Sequence, residues 1–141
     1  YGASRRNSEG VDLSNEQRLT ELAQALAASA AETWTAGDGT GTRREIVNPA
    51  DHRDVVGTVF EASAEAAAQA MERAAAAASG WAATTPSDRA AALRRAADRL
   101  QAALPRLAGL IVREGGRSVA NAIGEVREAI DFLRYYAGQA E

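Results

Sequence analysis

The sequence predicts a mainly α-helical domain that contains one short β-hairpin. From Ser63 almost to the end of the 141 residues, apolar residues recur at three- and four-residue spacing, which is the period of an α-helix. β-branched and aromatic residues concentrate in two short runs, 44–47 and 54–60, which flank the turn-forming segment 48–51. Because two strands alone are marginal in water, we expect the hairpin to pack against a helical layer or another chain.

The chain before the hairpin is predicted to contain an arm and one helix. Residues 1–13 are polar and have no hydrophobic period, so we interpret them as a linker. Residues 14–34 form an N-terminal helical segment in this prediction, with Ser14 as the cap and Gln17 at the capping-box position. The glycine-rich segment 35–42 lacks the Lys-Ser/Thr ending of a phosphate-binding loop and begins no helix, so we interpret it as a flexible loop.

Four further helices are predicted within residues 35–141, which we assign to the main domain. Ser63 and Thr85 are predicted caps, and Pro86 suits the first helical position. Pro105 has no amide hydrogen and is expected to break the helical path, and a glycine pair then ends the next helix. The hairpin is placed at about 44–60, and the helices at about 64–79, 86–104, 106–114 and 118–138.

The last predicted helix has two faces that are suited to burial. One apolar stripe consists of Ile123, Val126, Ile130, Leu133 and Ala137. A second line consists of Asn121, Glu125, Glu128, Phe132 and Tyr135. Because Glu128 lies about 200° around the helix from Ile130, the two lines face different directions. Such a helix suits a larger body than 141 residues can build. A carboxylate beside aromatic rings is a candidate ligand contact, and the alternative is that Glu128 is a surface acid.

Composition excludes several classes of site. The chain has no cysteine, which excludes a disulfide framework, a thiolate metal site and a cysteine nucleophile within it. Its single histidine, His52, is expected to be a solvated residue of a polar turn. The net charge of −3 gives no basic field for nucleic acid, and no apolar run reaches the ~20 residues of a membrane span. The polar opening without a starting methionine leads us to expect that the sequence begins within a longer protein.

Three ordered segments resemble the amino-terminal part of the aldehyde dehydrogenase family. They are NPADHRDVVGTV (48–59), GWAATTPSDRAAALRRAADRL (80–100) and VREGGRSVANAIGEVREAIDFLRYYAG (112–138). The opening YGASRRNSEGVDLS (1–14) resembles the linker of the proline utilization A proteins. These bacterial proteins join proline dehydrogenase to L-glutamate-γ-semialdehyde dehydrogenase, also called Δ1-pyrroline-5-carboxylate dehydrogenase.

The resemblance implies that the chain is the N-terminal portion of an α/β domain with a Rossmann-like NAD-binding unit. It implies a parent enzyme that oxidises glutamate semialdehyde with NAD, carries FAD in its proline dehydrogenase half, and forms a homo-oligomer. A bacterial cytoplasmic location is implied, with peripheral membrane attachment of the full enzyme as an open option. Because this chain has neither a cysteine nor a strand-glycine-helix dinucleotide unit, we expect an inactive fragment with no catalytic, cofactor-binding or metal residues.

The resemblance places the last helix beside the tunnel through which the aldehyde enters. It implies that Glu128 meets the α-ammonium group of the substrate and that Phe132 strengthens this pairing by excluding water. Phe132 itself is a candidate tunnel residue, with core packing as the alternative. Two other functions stay open. In the first alternative, the chain is a stand-alone helical interaction or oligomerisation module. In the second, it is a fragment of a dehydrogenase for another semialdehyde.

Overall fold

The structure is a computed structural model that describes residues 6–141, and this part of the chain forms five helices and three strands. The elements in chain order are α1 (Glu16–Ala30), β1 (Trp34–Ala36), β2 (Thr42–Asn48), β3 (Asp51–Glu61), α2 (Ala64–Ala82), α3 (Pro86–Ala102), α4 (Leu104–Gly115) and α5 (Val119–Gln139). The first five residues of the predicted linker lie outside the described residues. The mainly helical fold class is confirmed.

The strands form one sheet in the order β1-β3-β2. The predicted hairpin is confirmed as the antiparallel pair β2 and β3, and in its turn the Ala50 amide donates to Asn48 Oδ1 over 2.9 Å. The prediction of a loop over 35–42 is wrong at its start, because β1 pairs in parallel with β3. Gly57 permits this pairing, since a Cβ there would lie 2.2 Å from the Trp34 carbonyl oxygen.

Most helix ends lie where the capping residues predict. Ser63 and Thr85 are confirmed as caps of α2 and α3, and Gly116 ends α4 in the left-handed conformation with φ of 62°. The prediction that Ser14 caps α1 is wrong. Its hydroxyl donates to the Asp12 carboxylate over 2.6 Å, and Asn15 instead accepts from the Arg18 amide.

Several predicted helix boundaries are shifted in the structure. The helical segment predicted over 14–34 is α1 only from Glu16 to Ala30, because Trp34 belongs to β1. The helix expected to end near residue 79 continues as α2 to Ala82, because Gly80 does not adopt a positive φ. The break at Pro105 comes slightly earlier than expected. α3 ends at Ala102, and α4 begins at Leu104 with the proline in its first turn, where no intrahelical donor is needed.

The core lies between α5, α3, α4 and α1. The buried apolar cluster comprises Leu22, Ala97, Leu104, Ala108, Ala122, Ile123, Val126 and Ile130. The predicted apolar stripe of α5 therefore does face the interior, with Leu133 packed at the edge of this cluster. In contrast, α2 has no buried residue and exposes Met71 and Trp81. Much of the core consists of alanine, which buries little area per residue.

The sheet is attached to the helices through α4. Arg113 of α4 donates from Nη2 to Asp54 Oδ1 of β3 over 2.6 Å, and Asn48 donates to the same carboxylate over 3.1 Å. These bonds hold the pKa of Asp54 below its usual range, the arginine being the larger cause. Where α4 crosses α1, Gly109 lies directly against Ser29, whose hydroxyl donates to the Arg106 carbonyl oxygen. None of the helices in the described part of the chain is long and apolar enough for a membrane crossing.

Candidate functional site

The outer face of α5 is open to solvent. All five residues of the second predicted line, from Asn121 to Tyr135, are exposed. Four side chains of this helix surround a shallow open depression of about 440 Å³, and they are Glu128, Asp131, Phe132 and Tyr135. The structure thus brings the two predicted site residues, Glu128 and Phe132, to one surface depression. The same helix buries its opposite face, so the core fixes the direction in which this depression opens.

Within the described residues, the Glu128 carboxylate is unpaired. Among residues 6–141 it has no hydrogen-bond or ion-pair partner. Arg134, the nearest arginine after it on the helix, is only 9% exposed and donates to Asp98 Oδ1 over 3.1 Å. Glu125, one turn before Glu128, is paired with Arg117 at 3.4 Å. Glu128 is therefore available to bind a cationic group.

Aromatic rings flank this carboxylate on the C-terminal side. Phe132 is 52% exposed, and its ring stacks on that of Tyr136 with centroids 6.1 Å apart. Tyr136 also meets Tyr135 edge-on at 5.2 Å. Aromatic faces attract ammonium groups, and an adjacent carboxylate adds a full opposite charge. The chemistry of the depression therefore suits an organic ammonium ligand.

Asp131 also lines the depression, although the sequence pattern gives it no role beyond a structural one. It lies one turn after Glu128 and accepts two hydrogen bonds from Ser8, from the amide at 2.7 Å and from the hydroxyl at 2.8 Å. The two residues are 123 positions apart in the chain. No local sequence pattern indicates such a pairing, because it depends on how the two distant segments pack.

The described residues do not provide the usual framework for a dinucleotide. The parallel strands β1 and β3 are connected through β2 and not through a helix, and no glycine lies between β3 and α2. A Rossmann unit instead places a glycine-rich turn between a parallel strand and the helix that binds the pyrophosphate. His52 is exposed as expected, but it lies on β3 and not in the turn. Residues 6–141 contain no group of three or more potential metal ligands. The described residues therefore do not form a Rossmann-type pyrophosphate site.

The family comparison places most of the chain in one known domain. The profile of the Aldehyde dehydrogenase family matches residues 34–141. A bifunctional protein PutA from Rhizobium meliloti is 51% identical over 147 aligned positions, covering 99% of this chain and 12% of that protein. 1-Pyrroline-5-carboxylate dehydrogenase 2 from Bacillus subtilis is 43% identical, covering 73% of this chain and 20% of that protein. The chain therefore spans only a small part of the relatives it matches.

Solved structures agree with the sequence relatives. Proline utilization A from Bdellovibrio bacteriovorus superimposes with a TM-score of 0.90 at 28% identity, over 99% of this chain and 16% of that one. 1-Pyrroline-5-carboxylate dehydrogenase from Thermus thermophilus gives a TM-score of 0.85 at 28% identity, over 97% of this chain and 28% of that one. The resemblance inferred from the sequence is thereby confirmed. This chain belongs to the aldehyde dehydrogenase family.

Proposed function

We propose that this chain is the amino-terminal segment of the L-glutamate-γ-semialdehyde dehydrogenase unit of a bifunctional proline-catabolism enzyme. The parent enzyme oxidises the semialdehyde to glutamate with NAD, and its other unit is an FAD-dependent proline dehydrogenase. Support comes from relatives named bifunctional protein PutA, which align with 99% of the chain, including the part before the family match. Named 1-pyrroline-5-carboxylate dehydrogenases align with 73% of it. The division at residues 1–13, 14–34 and 35–141 remains part of this proposal, as does a homo-oligomeric, cytoplasmic parent.

The role of this segment is to bind and orient substrate, while the reacting groups come from other parts of the enzyme. The observation that carries this role is the uncommitted Glu128 carboxylate beside Phe132 on the open face of α5. Glutamate semialdehyde carries an α-ammonium group at the end opposite its aldehyde. Glu128 binds that ammonium, so the aldehyde points away from α5 towards the reacting groups. Phe132 lines the same space and limits the access of water.

The strength of this contact depends on how much water the complete enzyme excludes. Two unit charges 4 Å apart attract by about 1 kcal/mol in bulk water and by about 4 kcal/mol at the effective dielectric constant of a protein surface. Phe132 is half exposed in this chain. We therefore infer that the Glu128 contact reaches its full strength only when the remainder of the dehydrogenase unit covers the depression.

An NADH-forming assay with Δ1-pyrroline-5-carboxylate, the cyclic form of the semialdehyde, tests this function. It compares the 141-residue chain with the full-length gene product and with its Glu128→Gln variant. We expect no turnover by the chain and turnover by the full-length product. In the variant, KM should rise about tenfold or more with a smaller change in kcat, because a ground-state charge pair is lost.

Glu125→Gln is the matched control for this experiment. Glu125 lies one turn away on the same helix, but it pairs with Arg117 and does not line the depression. We expect its KM to stay within twofold of the unmodified enzyme. An unchanged KM in Glu128→Gln, or an equal rise in both variants, would refute the substrate contact. Absence of turnover by the full-length product would refute the dehydrogenase assignment, and faster turnover of another semialdehyde would favour the related-dehydrogenase alternative.

One observation favours a second candidate, a helical interaction module. α2 has no buried residue and exposes Met71 and Trp81, so its apolar side chains are left for another surface to cover. In the dehydrogenase proposal that surface belongs to the rest of the same polypeptide. Light scattering of the isolated chain separates the two candidates. A self-associating module forms a defined oligomer, which the Trp81→Ser substitution dissociates. A segment of a larger domain forms no defined oligomer.

A further inference from the structure

A short arm before α1 is bound along one side of α5. This arm, residues 6–11, has Ser8 at its centre, and that serine is only 6% exposed. The Ser8 amide donates to Asp131 Oδ1 over 2.7 Å, and its hydroxyl donates to Oδ2 over 2.8 Å. Both oxygens of the Asp131 carboxylate are therefore engaged by the arm.

Two arginines of α5 hold the arm on either side of this contact. Arg127 donates from Nε to Ser8 Oγ over 3.2 Å, and its guanidinium lies against Gly10, where a Cβ would come within 3.4 Å of it. Arg134 donates to the Asn7 carbonyl oxygen over 2.8 Å and to the Asp98 carboxylate of α3 over 3.1 Å. The arm is therefore bound by charged side chains along two turns of α5, and hydrogen bonds to charged groups are among the stronger ones.

The arm and the depression share Asp131. One side of α5 faces the core, a second side carries the arm, and the third side is the depression with Glu128, Phe132 and Tyr135. Asp131 lines the depression, and its carboxylate accepts hydrogen bonds from Ser8. If the arm left, a second uncommitted carboxylate would stand one turn from Glu128 and would compete for the same cation. The bound arm thus leaves Glu128 as the one carboxylate lining the described depression that has no partner.

We propose that Asp131 is a positioning residue for the Glu128 site, and that it acts by anchoring the arm at residues 6–11 to α5. This inference rests on the proposed function of Glu128 as the ammonium contact. The anchored arm adds to the core packing in holding α5 in place, and it keeps the substrate ammonium at a single acid. Loss of the anchor therefore weakens recognition of substrates that carry the α-ammonium group and leaves other aldehydes unaffected.

The test uses the full-length gene product with Asp131→Ala and Asp131→Asn. We expect Asp131→Ala to raise KM for Δ1-pyrroline-5-carboxylate about tenfold, because small displacements of positioning groups are costly. KM for hexanal, which has no ammonium group, should change less than twofold. Asp131→Asn keeps an acceptor for the Ser8 amide and should restore most of the affinity. Hydrogen exchange should show faster exchange of the Ser8 and Glu9 amides in the alanine variant alone.

Asp38→Ala is the matched control. Asp38 accepts from the amide and the hydroxyl of Thr40 over 2.9 and 2.6 Å, the same chemistry in a loop of the sheet. It should change neither KM nor exchange of the arm. Unchanged arm exchange in Asp131→Ala, an unchanged KM, or equal losses for both aldehydes would each overturn the inference. The proposed function fails separately if Glu128→Gln leaves KM for Δ1-pyrroline-5-carboxylate unchanged. If Asp131→Ala raises that KM while Glu128→Gln does not, the anchoring mechanism is overturned as well.

Discussion

Replacing Ile130 with alanine tests whether α5 has one buried and one open face. Ile130 is fully buried, and its stripe packs among small neighbours that include Ala97, Ala108 and Ala122. The substitution removes three carbon atoms, which corresponds to about 2.4 kcal/mol of transfer free energy at roughly 0.8 kcal/mol each. Alanine side chains have no rotamers with which to fill the space, so a cavity term adds to this value. We expect a loss of about 3–4 kcal/mol in the free energy of unfolding, within the range for such substitutions.

Phe132→Ala is the comparison on the open face. Because half of the Phe132 side chain is already exposed, we expect it to cost less than about 1 kcal/mol. Ile130→Val should fall between the two, at about 0.5–1.5 kcal/mol. Urea unfolding of the isolated chain, followed by far-UV circular dichroism, gives the three midpoints with a common slope. If Phe132→Ala destabilises the chain as much as Ile130→Ala, the outer face of α5 is buried in solution and the reasoning is refuted.

Two further predictions concern the attachment of the helices to each other and to the sheet. The lowered pKa of Asp54 means that its bond to Arg113 contributes stability above the unfolded pKa of about 3.9, and that this stability is lost as the pH falls through the lower native value. Urea midpoints of Asp54→Asn and the parent chain should therefore differ at pH 7 and converge as the pH falls through the lowered native pKa of Asp54. A difference that stays constant with pH would contradict the assignment. Gly109→Ala should destabilise by about 1–3 kcal/mol, since its Cβ would lie 2.5 Å from Ser29 Oγ. Its control, Gly124→Ala, meets no atom within 4 Å and should be neutral or stabilising by thermal melting.

Elements with strong local signals were predictable from the sequence. The caps Ser63 and Thr85 and the left-handed Gly116 act within one helical turn, so their effect is visible in a few consecutive residues. The buried stripe of α5 followed from its period, which also placed Glu128 and Phe132 on the opposite face. The order of these segments was sufficient to indicate the aldehyde dehydrogenase family, which the comparisons confirmed.

Features that depend on distant partners were not predictable in this way. β1 is three residues long and exists because it pairs with β3, where Gly57 leaves room for it. Asn15 replaced Ser14 as the cap of α1 because Asp12 binds the serine, a competition between two equally plausible local bonds. Local periodicity describes only the face that a residue occupies on its own helix.

The sequence by itself thus determined the helices, their faces and the family of this protein. Only the tertiary structure decided which side chains those faces meet. The contact between Asp131 and Ser8, across 123 positions, joins the arm to the depression that contains Glu128. Such a contact depends on the packing of α5 against α3 and α4, which fixes the direction of every side chain on the helix at once. No short stretch of the sequence carries that information, because it arises from the relative placement of whole elements.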